Sequence, residues 1–471
     1  MRTNILIAAI VTICILDLSC KKYLDEKPNT GLSTPSALSD LRAMLDNSDQ
    51  MNLFSTPALG EASADNYYYP DALAFASKEA VDKDIFKGQL KDYYYPNDWG
   101  MSYSIIYNAN LVLESLEKIS ITPSNEAEWK EIKATALFFR GYTYLNLAWV
   151  YTKAFDESSA DKDLGLDIRT YSDFNIPSVR STVRVTYDRI IADLKEAIPG
   201  LPVTTSHVFR PSRAAAYGTL ARTYLSMRKY ESAFEYADLC LTLRKDLFEY
   251  KTFTPLSATS ALLPFSMPAT NPAWQSREVI FHTTIAPLKG FTWLNNTSSR
   301  VDSNLVKSYS TDDARRNLFF RNINPTANVP FLTHSFRGVY SASANQLFSG
   351  IAVDEMFLTR AECYARKGDK DAALSDLNTL LENRWKNNVT YIPIVKNTAQ
   401  EALDTILVER RKELIHRGTR WMDIKRLNKE GRNIVVRRNM GADTFTIQPN
   451  ANYYALPLPR DIIEMTGIPQ N

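Results

Sequence analysis

The sequence predicts a mainly α-helical protein in which helix hairpins form a scaffold and long irregular segments form a ligand-binding surface. Three observations support this fold class. A pattern of aromatic and small residues typical of a helix hairpin occurs twice at a fixed offset. Apolar residues make up 45% of the 471 residues, which is enough to build a large core. Two long segments lack helical periodicity, and such segments in compact proteins usually carry function.

The chain begins with a short apolar segment, ILIAAIVTICIL, from Ile5 to Leu16. A helix needs roughly 20 apolar residues to span a bilayer, so this segment is too short to be an anchor helix. With Arg2 before it and Ser19 after it, the segment is typical of a secretory signal peptide over residues 1–19. It resembles a bacterial lipoprotein signal, which would place cleavage before Cys20 and a lipid on the Cys20 thiol. An ordinary cleaved signal with an incidental cysteine is the alternative.

Charge and cysteine content exclude several classes of protein. Lys and Arg number 55 against 53 Asp and Glu, and the net charge of +2 gives no excess for binding nucleic acid. No later segment is apolar for long enough to cross a membrane. After processing, the cysteines are Cys20, Cys240 and Cys363, too few for a disulfide scaffold. We expect Cys240 and Cys363 to be buried as small hydrophobic residues.

The helix-hairpin pattern occurs in AYGTLARTYLSMRKYESAFEYADLCL and in DEMFLTRAECYARKGDKDAALSDLNTLL. The order of aromatic residue, small residue, tyrosine, turn and returning small residue is that of a tetratricopeptide helix pair. The small residues let two antiparallel helices approach closely, and the aromatic residues fill the groove between neighbouring hairpins. The positions are Tyr217, Ala221, Tyr224, Ala233 and Ala237 in the first copy and Phe357, Ala361, Tyr364, Ala373 and Leu377 in the second.

Two further helical segments extend the scaffold. LFFRGYTYLNLAWVY carries Leu137, Gly141 and Tyr144 at the hairpin spacing, and STVRVTYDRIIADLKEAI is the candidate partner helix. Thr398 and Glu401 form a capping-box pattern ahead of EALDTILVERRKELIHRG, and the helix TRWMDIKRLN follows.

The helical and irregular segments alternate along the chain. We expect a single domain over residues 20–471, with its scaffold helices at about 100–245 and 350–430. The irregular regions, about 51–100 and 246–350, are expected to carry the ligand-binding surface, because function concentrates on loops that a rigid scaffold positions.

The stretch VERRKELIHRGTRWMDIKR is the most densely charged part of the chain. Its side chains could form an anion site, but at helical spacing they are expected to form ion pairs between two helices. The residues concerned are Glu409, Arg410, Arg411, Glu413, Arg420 and Asp423.

Signatures of catalysis are absent from the sequence. It contains no G-K-[ST] phosphate loop, no H-E-x-x-H motif and no G-x-S-x-G elbow. The histidines lie far apart, at 207, 282, 334 and 416, which argues against a zinc site. We therefore expect no metal, no cofactor and no enzymatic activity. Carboxylates are numerous, so counting alone does not exclude a glycosidase pair.

Aromatic residues are concentrated in the irregular regions, in DNYYYPD, in KDYYYPNDW and around two later tryptophans. Exposed aromatic faces suit stacking against a sugar ring, while asparagine and arginine can bind hydroxyl groups; the same surface could hold a peptide. The candidate ligand-binding residues are Tyr67, Tyr68, Tyr69, Tyr93, Tyr94, Tyr95, Trp99, Trp274, Trp293, Asn295 and Arg300.

Taken together, these segments resemble the SusD/RagB family of outer-membrane nutrient-binding lipoproteins over essentially the whole chain. The resemblance is carried by the order and spacing of SCKKYLDEKP, YSIIYNANLVLESL, KATALFFRGYTYLNLAWVY, RPSRAAAYGTLARTYL, DEMFLTRAECYARKGD, VERRKELIHRGTRWMDIKRL and ALPLPRDIIEMTGIPQN. It implies a tetratricopeptide-like scaffold with a loop-rich ligand-binding insertion, as in SusD.

The resemblance also implies a function. It implies a lipid-anchored protein on the extracellular side of the outer membrane, partnered with a TonB-dependent transporter barrel of the SusC type. Such proteins capture oligosaccharides, or in some lineages peptides, and pass them on without breaking bonds. Cys20 matches the lipidated position, and Trp99 falls where glycan-binding members can place a stacking tryptophan. A surface glycosidase and a protein whose hairpins bind only a partner peptide are the competing hypotheses.

Overall fold

The computed structural model describes residues 35–252, 277–286, 299–322, 334–336 and 347–471. Helices dominate these residues, which confirms the predicted fold class. The helices are α1 (Leu38–Asp46), α2 (Ser48–Met51), α3 (Leu59–Ser63), α4 (Ala72–Ala76), α5 (Ala80–Lys87), α6 (Asp98–Leu116), α7 (Glu126–Tyr151), α8 (Val183–Ala197), α9 (Arg213–Ser226), α10 (Tyr230–Leu243), α11 (Ser303–Lys307), α12 (Arg315–Leu318), α13 (Val353–Lys367), α14 (Lys370–Glu382), α15 (Ala399–Glu413), α16 (Arg420–Asn428) and α17 (Arg460–Thr466).

The strands are short, and within the described residues they form antiparallel pairs rather than a larger sheet. The pairs are β1 (Tyr67–Tyr68) with β5 (Arg300–Val301), β2 (Leu164–Asp167) with β3 (Arg180–Thr182), β4 (Val279–Phe281) with β8 (Ile351–Ala352), β6 (Phe320–Asn322) with β7 (His334–Phe336), and β9 (Val436–Met440) with β10 (Asp443–Ile447). Several of them join segments that lie far apart in the sequence, so they tie the irregular regions to the scaffold.

The two predicted hairpins are present as α9 with α10 and α13 with α14, and α10 packs against α13. Ala221 and Ala361, the small residues at the helix crossings, are completely buried. Cys240 and Cys363 are buried free thiols, as the sequence predicted. The hairpin prediction is therefore confirmed, and its small residues lie where close helix packing requires them.

The long helix α7 lies between α6 and α8. The segment that the sequence offered as its distant partner is α8, so that expectation is also confirmed. Gly141 of α7 is the point of close approach: a Cβ atom there would lie 3.1 Å from the Leu194 side chain. A larger residue at Gly141 would push the two helices apart.

Helix α15 begins as its sequence pattern predicted. The Thr398 hydroxyl accepts a hydrogen bond from the Glu401 backbone N–H (3.1 Å). The Glu401 carboxylate accepts from the backbone N–H of Asn397 (2.9 Å), one residue before the position that a capping box uses. The side chain of Thr398 thus satisfies one backbone N–H that the helix leaves unpaired, and that of Glu401 satisfies the N–H just before the cap.

Buried ion pairs hold the last scaffold helices together. Arg410 of α15 pairs with Asp423 of α16 (2.9 Å), which confirms the predicted pairing across these two helices for this pair. The prediction is wrong for the other four residues, Glu409, Arg411, Glu413 and Arg420, whose ionic partners lie outside the α15–α16 pair or within α15. Glu413 accepts from both Arg384 and Arg315 (2.7 Å each), and these arginines outweigh the effect of burial and lower the pKa of Glu413 to about 2. Such pairs are strongly disrupted when one partner is removed, because the other is left buried and charged.

The region over 51–100, which the sequence predicted to be irregular, is partly helical in the structure. It contains the short helices α3, α4 and α5, and many of its apolar side chains enter the main hydrophobic core. A second, smaller core lies beneath α11 and α12 and includes Val301, Leu305 and Val306. That core fixes the position of α11, which borders the candidate site described below.

Candidate functional site

Four of the predicted functional residues lie outside the described residues. They are the proposed lipidation site Cys20 and the proposed ligand-binding residues Trp274, Trp293 and Asn295. The other candidates fall into three groups that differ in their exposure to solvent.

Tyr67 and Tyr69 are buried, at 3% and 2% exposure. Their rings meet edge to face at 5.8 Å, and both pack against Phe86. The Tyr67 hydroxyl donates a hydrogen bond to the Ala62 carbonyl (2.9 Å), which allows the ring to be buried without an unpaired polar group. The expectation that these two rings face solvent is therefore wrong, because the core of α3 and α5 covers them.

The same correction applies to Tyr93 and Trp99. Trp99 lies in the first turn of α6, stacks on Tyr103 with ring centroids 4.7 Å apart, and meets Tyr151 edge to face at 5.2 Å. Tyr93 shares a hydrogen bond of 3.0 Å with the Tyr151 hydroxyl. The expected exposed tryptophan on a loop is thus a core residue, because helix α6 begins at Asp98 and turns Trp99 inward.

Tyr94 and Tyr95 are the candidates that present aromatic faces to solvent, with exposures of 52% and 73%. The Arg460 guanidinium lies over the Tyr94 ring at 6.0 Å. We call these two residues the tyrosine face. A flat exposed ring of this kind is available for stacking.

Tyr68 and Arg300 are brought together although 51–100 and 246–350 are separate regions of the sequence. They are register partners in the β1–β5 pair. Tyr68 is half-buried, and burial raises the pKa of its hydroxyl. The Arg300 guanidinium donates to the Ser299 carbonyl (2.8 Å). Tyr68 also lines a cleft that the sequence did not identify, whereas Arg300 does not.

We call this the polar cleft, a cavity of about 410 Å³ between β1, α11 and β9. Its volume falls within the range of small-molecule sites. Side chains from three distant parts of the chain line it, among them Tyr68, Asp302, Ser303, Asn304, Arg437 and Asn439.

Ion pairs from the charged stretch hold the polar cleft in shape. Arg420 donates to both carboxylate oxygens of Asp65 (2.7 and 2.8 Å). Arg411 donates to Asp302 Oδ2 (3.0 Å) and to the backbone carbonyl of Asp65 (2.8 Å). Burial opposes the ionisation of Asp65, but Arg420 and Arg411 outweigh it and hold the pKa of that carboxyl well below its usual range. Helices α15 and α16 thereby fix both sides of the cleft.

Three polar side chains of the cleft are not used by the fold. Ser303, Asn304 and Arg437 make no side-chain hydrogen bond or ion pair to any other residue in the described part of the chain. Asn304 and Arg437 are exposed, and Ser303 is half-buried. An amide, a hydroxyl and a guanidinium can together donate to and accept from neighbouring hydroxyl groups. The cleft is thus equipped to bind a polyhydroxylated ligand beside the half-buried Tyr68 ring.

A second cavity of about 480 Å³ adjoins the first, and Asn304 lines both. We call it the apolar cleft, because aliphatic side chains of α11, α15, α16 and the segment after α16 form much of its wall. They are Leu305, Leu407, Val408, Leu427 and Ile434. Sequence reasoning missed both clefts, because no local motif links residues near 68, 304, 408 and 437. The sequence did contain one indication, Arg411 and Arg420, but their spacing predicted ion pairs between two helices rather than the support of a cleft.

Family models match the two ends of this architecture. One described as "Starch-binding associating with outer membrane" matches residues 22–225, and one described as "SusD family" matches residues 340–462. A tetratricopeptide repeat model matches residues 214–247, which include the α9–α10 hairpin.

The chain belongs to the SusD/RagB family.

Solved structures agree with this assignment of fold. A SusD superfamily protein from Bacteroides thetaiotaomicron has a TM-score of 0.70 and 21% identity, over 92% of this chain and 99% of that one. A SusD superfamily protein from Bacteroides vulgatus has a TM-score of 0.71 and 18% identity, over 93% and 99%. A SusD-like carbohydrate binding protein from Bacteroides vulgatus has a TM-score of 0.65 and 20% identity, over 92% and 97%. No curated protein sequence matches the chain significantly.

One group of acidic residues in this SusD/RagB-family protein has the spacing of a metal site. Glu278, Asp354 and Glu413 are buried, and one oxygen atom of each lies within 4.8 Å of the others. Arg384 contacts Glu278 (2.6 Å) and Glu413 (2.7 Å), and Arg417 pairs with Asp354 (2.5 Å). Guanidinium groups therefore supply the positive charge that these carboxylates require, and the cluster is part of the buried ion network.

Within the described ranges, no helix of this SusD/RagB-family protein is both long enough and apolar enough to span a membrane.

Proposed function

We propose that this protein binds an oligosaccharide in the polar cleft and passes it to a TonB-dependent transporter in the outer membrane. The observation that carries the proposal is the set of unengaged polar side chains, Ser303, Asn304 and Arg437, beside the half-buried ring of Tyr68. A fold that leaves donors and acceptors free inside a cleft, while pairing its other charges, provides hydrogen bonds for a ligand.

The comparisons support the glycan as the ligand class. One family model that matches the chain is described as starch-binding, and a similar structure is titled a carbohydrate binding protein. Sugars present closely spaced hydroxyl groups and an apolar C–H face. The free polar groups of the cleft suit the hydroxyl groups, and the Tyr68 ring suits the C–H face. The tyrosine face of Tyr94 and Tyr95 would offer a longer chain a further stacking surface.

The carboxylates of the polar cleft suit binding of a glycan without cleavage of its bonds. Asp65 and Asp302, the carboxylates of the polar cleft, are both engaged by arginines. A general acid needs a carboxyl group that holds a proton, whereas the arginines keep the pKa of Asp65 low. We therefore expect purified protein to release no reducing sugar from a polysaccharide that it binds.

A glycan and peptide array with the purified full-length protein tests the ligand class. We expect retention of glycans and not of peptides; retention of peptides alone would instead support the peptide-binding alternative. Asn304→Ala should then weaken binding of the retained glycan by about tenfold, since it removes a central hydrogen-bonding side chain.

A matched control separates binding from folding in that experiment. Asn317 is an exposed asparagine on α12 that lines neither cleft. Asn317→Ala should leave glycan affinity unchanged. Equal affinity of the parent and Asn304→Ala would show that the ligand binds elsewhere.

The location and the partner are tested separately. We propose that Cys20 is lipidated and anchors the protein on the extracellular side of the outer membrane, as a partner of a SusC-type transporter. Cys20→Ala should move the protein from the detergent phase to the aqueous phase, because stable anchoring requires several acyl chains on this residue. Copurification of a TonB-dependent barrel with the anchored protein would support the transporter partner, and its consistent absence from gentle detergent extracts would count against it.

A further inference from the structure

The apolar cleft adjoins the polar cleft at one residue. Asn304, the second residue of α11, lines both cavities, and its side chain is unengaged by the described residues. The Asp65–Arg420 pair lies between them, since Asp65 lines the polar cleft and Arg420 lines the apolar one. A ligand that contacts Asn304 can therefore reach into both clefts at once.

The wall of the apolar cleft is aliphatic and only partly covered. Leu305 and Leu427 are buried at 4% exposure each and form its base. Leu407 and Ile434 are half-buried, and Val408 is 53% exposed at its edge. Removing these apolar surfaces from water would favour binding of any apolar group that fits, because the hydrophobic effect scales with the apolar area buried.

The charged residues around the apolar cleft already have partners. Arg432 pairs with Asp404, Arg420 with Asp65, and Arg411 with Asp302. A charged ligand group would find no free countercharge among these residues and would lose water on entering. A bare sugar ring at the base of the cleft would place some hydroxyl groups against Leu305 and Leu427, and neither side chain can form a hydrogen bond with them.

We infer that the apolar cleft binds an apolar acyl or aryl substituent on the oligosaccharide whose sugar rings occupy the polar cleft. This inference rests on the function proposed above and narrows its ligand to a substituted glycan. Sugar hydroxyl groups would meet Ser303, Asn304 and Arg437, and the substituent would pass Asn304 to contact Leu407, Val408 and Ile434. The two clefts would thus select a ligand with one polar and one apolar end.

Matched pairs of probes test this division. Affinities of the purified full-length protein would be measured for maltotriose, cellotriose and xylotriose and for the 4-nitrophenyl glycoside of each. For a trisaccharide that binds, we expect the nitrophenyl glycoside to bind about tenfold more tightly, because its aromatic ring buries apolar surface in the cleft.

One substitution should remove that preference selectively. Val408→Asn places a polar amide at the edge of the apolar cleft, at an exposed helix position where the fold tolerates it. We expect it to abolish the preference for the nitrophenyl glycoside and to leave the free trisaccharide affinity unchanged. Val395→Asn is the matched control, since Val395 is 80% exposed and lines neither cleft; it should change neither affinity.

The outcomes distinguish this inference from the proposed function. Equal affinity for free and nitrophenyl sugars, or a preference that survives Val408→Asn, would overturn the apolar subsite while leaving glycan binding intact. Failure of every free trisaccharide and every glycoside to bind, with no glycan retained on the array, would overturn both proposals.

Discussion

Trp99 and Asn304 represent two regions of the molecule that use their side chains in opposite ways. In the aromatic segment around Trp99, Trp99 and Tyr93 are buried at 4% and 3% exposure, and the Tyr93 hydroxyl is hydrogen-bonded to that of Tyr151. The polar cleft leaves Asn304 and Arg437 exposed and unpaired by described residues. Trp99 and Tyr93 are therefore packing residues, while the free hydrogen-bonding groups of Asn304 and Arg437 identify the candidate recognition surface in the second region. Changes in the two regions should accordingly affect different measurements.

The largest expected effect is on stability in the aromatic segment. Trp99→Ala should lower the free energy of unfolding by about 3–5 kcal/mol, because it removes a ring packed against Tyr103 and Tyr151 and leaves a cavity. Chemical denaturation would measure this loss. A Trp99→Ala protein as stable as the parent would contradict the core assignment and return Trp99 to the candidates for ligand binding.

The pH dependence of stability gives a second test at the start of the same helix. Burial raises the pKa of Asp98 from 3.8 to about 7, although the backbone N–H of Leu59 donates to it (2.8 Å). Between these values the folded protein keeps a proton that the unfolded chain has lost. Stability from this group is therefore greatest at low pH, falls as the pH rises from about 4 to 7, and is constant above that.

Asp98→Asn isolates this contribution from those of the other carboxyl groups. The parent should lose stability relative to the variant by at most about 1.4 kcal/mol per pH unit across that window, the value for one proton. Denaturation of both proteins at a series of pH values measures the difference. Parallel pH profiles for the two proteins would show that the Asp98 pKa is not raised.

In the polar cleft, the expected effect is on affinity. Arg437→Ala should weaken binding of the cognate glycan by about tenfold through loss of its hydrogen bonds. It should change the free energy of unfolding by no more than about 0.5 kcal/mol, because the exposed guanidinium contributes no ion pair to the described fold. A variant that loses stability and affinity together would instead make Arg437 part of the scaffold.

The smallest expected effect on affinity is at the tyrosine face. Its residues are aromatic, like those around Trp99, and exposed, like those of the polar cleft. Tyr95→Ala should leave stability within about 0.5 kcal/mol of the parent, since the ring is 73% exposed. It should weaken binding of a long glycan by about threefold through the loss of one stacking contact and leave a trisaccharide unaffected. Calorimetry with a trisaccharide and a longer glycan separates these cases, and an equal loss of affinity for both would contradict a role of Tyr95 restricted to long chains.

The helical scaffold could be predicted because its signals are local. Periodic apolar residues and the small residues Ala221 and Ala361 define each hairpin within a few turns, and the helix geometry determines which residues share a face. The pairing of Arg410 with Asp423 follows from the same short-range geometry. The sequence resemblance also identified the family that the models match.

The candidate site could not be predicted in the same way. Tyr67 and Tyr68 are adjacent, chemically identical and both at the polar cleft, yet Tyr67 is buried and Tyr68 is half-buried. The alternation of a strand assigns them to opposite faces, but only the packing of α3 and α5 decides which face is covered. Arg411 and Arg420 were recognisable as charged helix residues, but their partners Asp302 and Asp65 lie far away in the chain.

The helices, their hairpins and the family could thus be read from the amino-acid sequence, because these depend on patterns within short stretches of chain. Packing of the whole chain was needed to establish which aromatic residues enter the core and which polar residues keep free hydrogen-bonding groups. Whether the side chains of Asn304 and Arg437 have hydrogen-bond partners depends on all the groups around them. Those groups come from segments separated by hundreds of residues. Burial and hydrogen-bond satisfaction are properties of the assembled chain, so the clefts became apparent only when β1, α11, α15 and β9 were brought together.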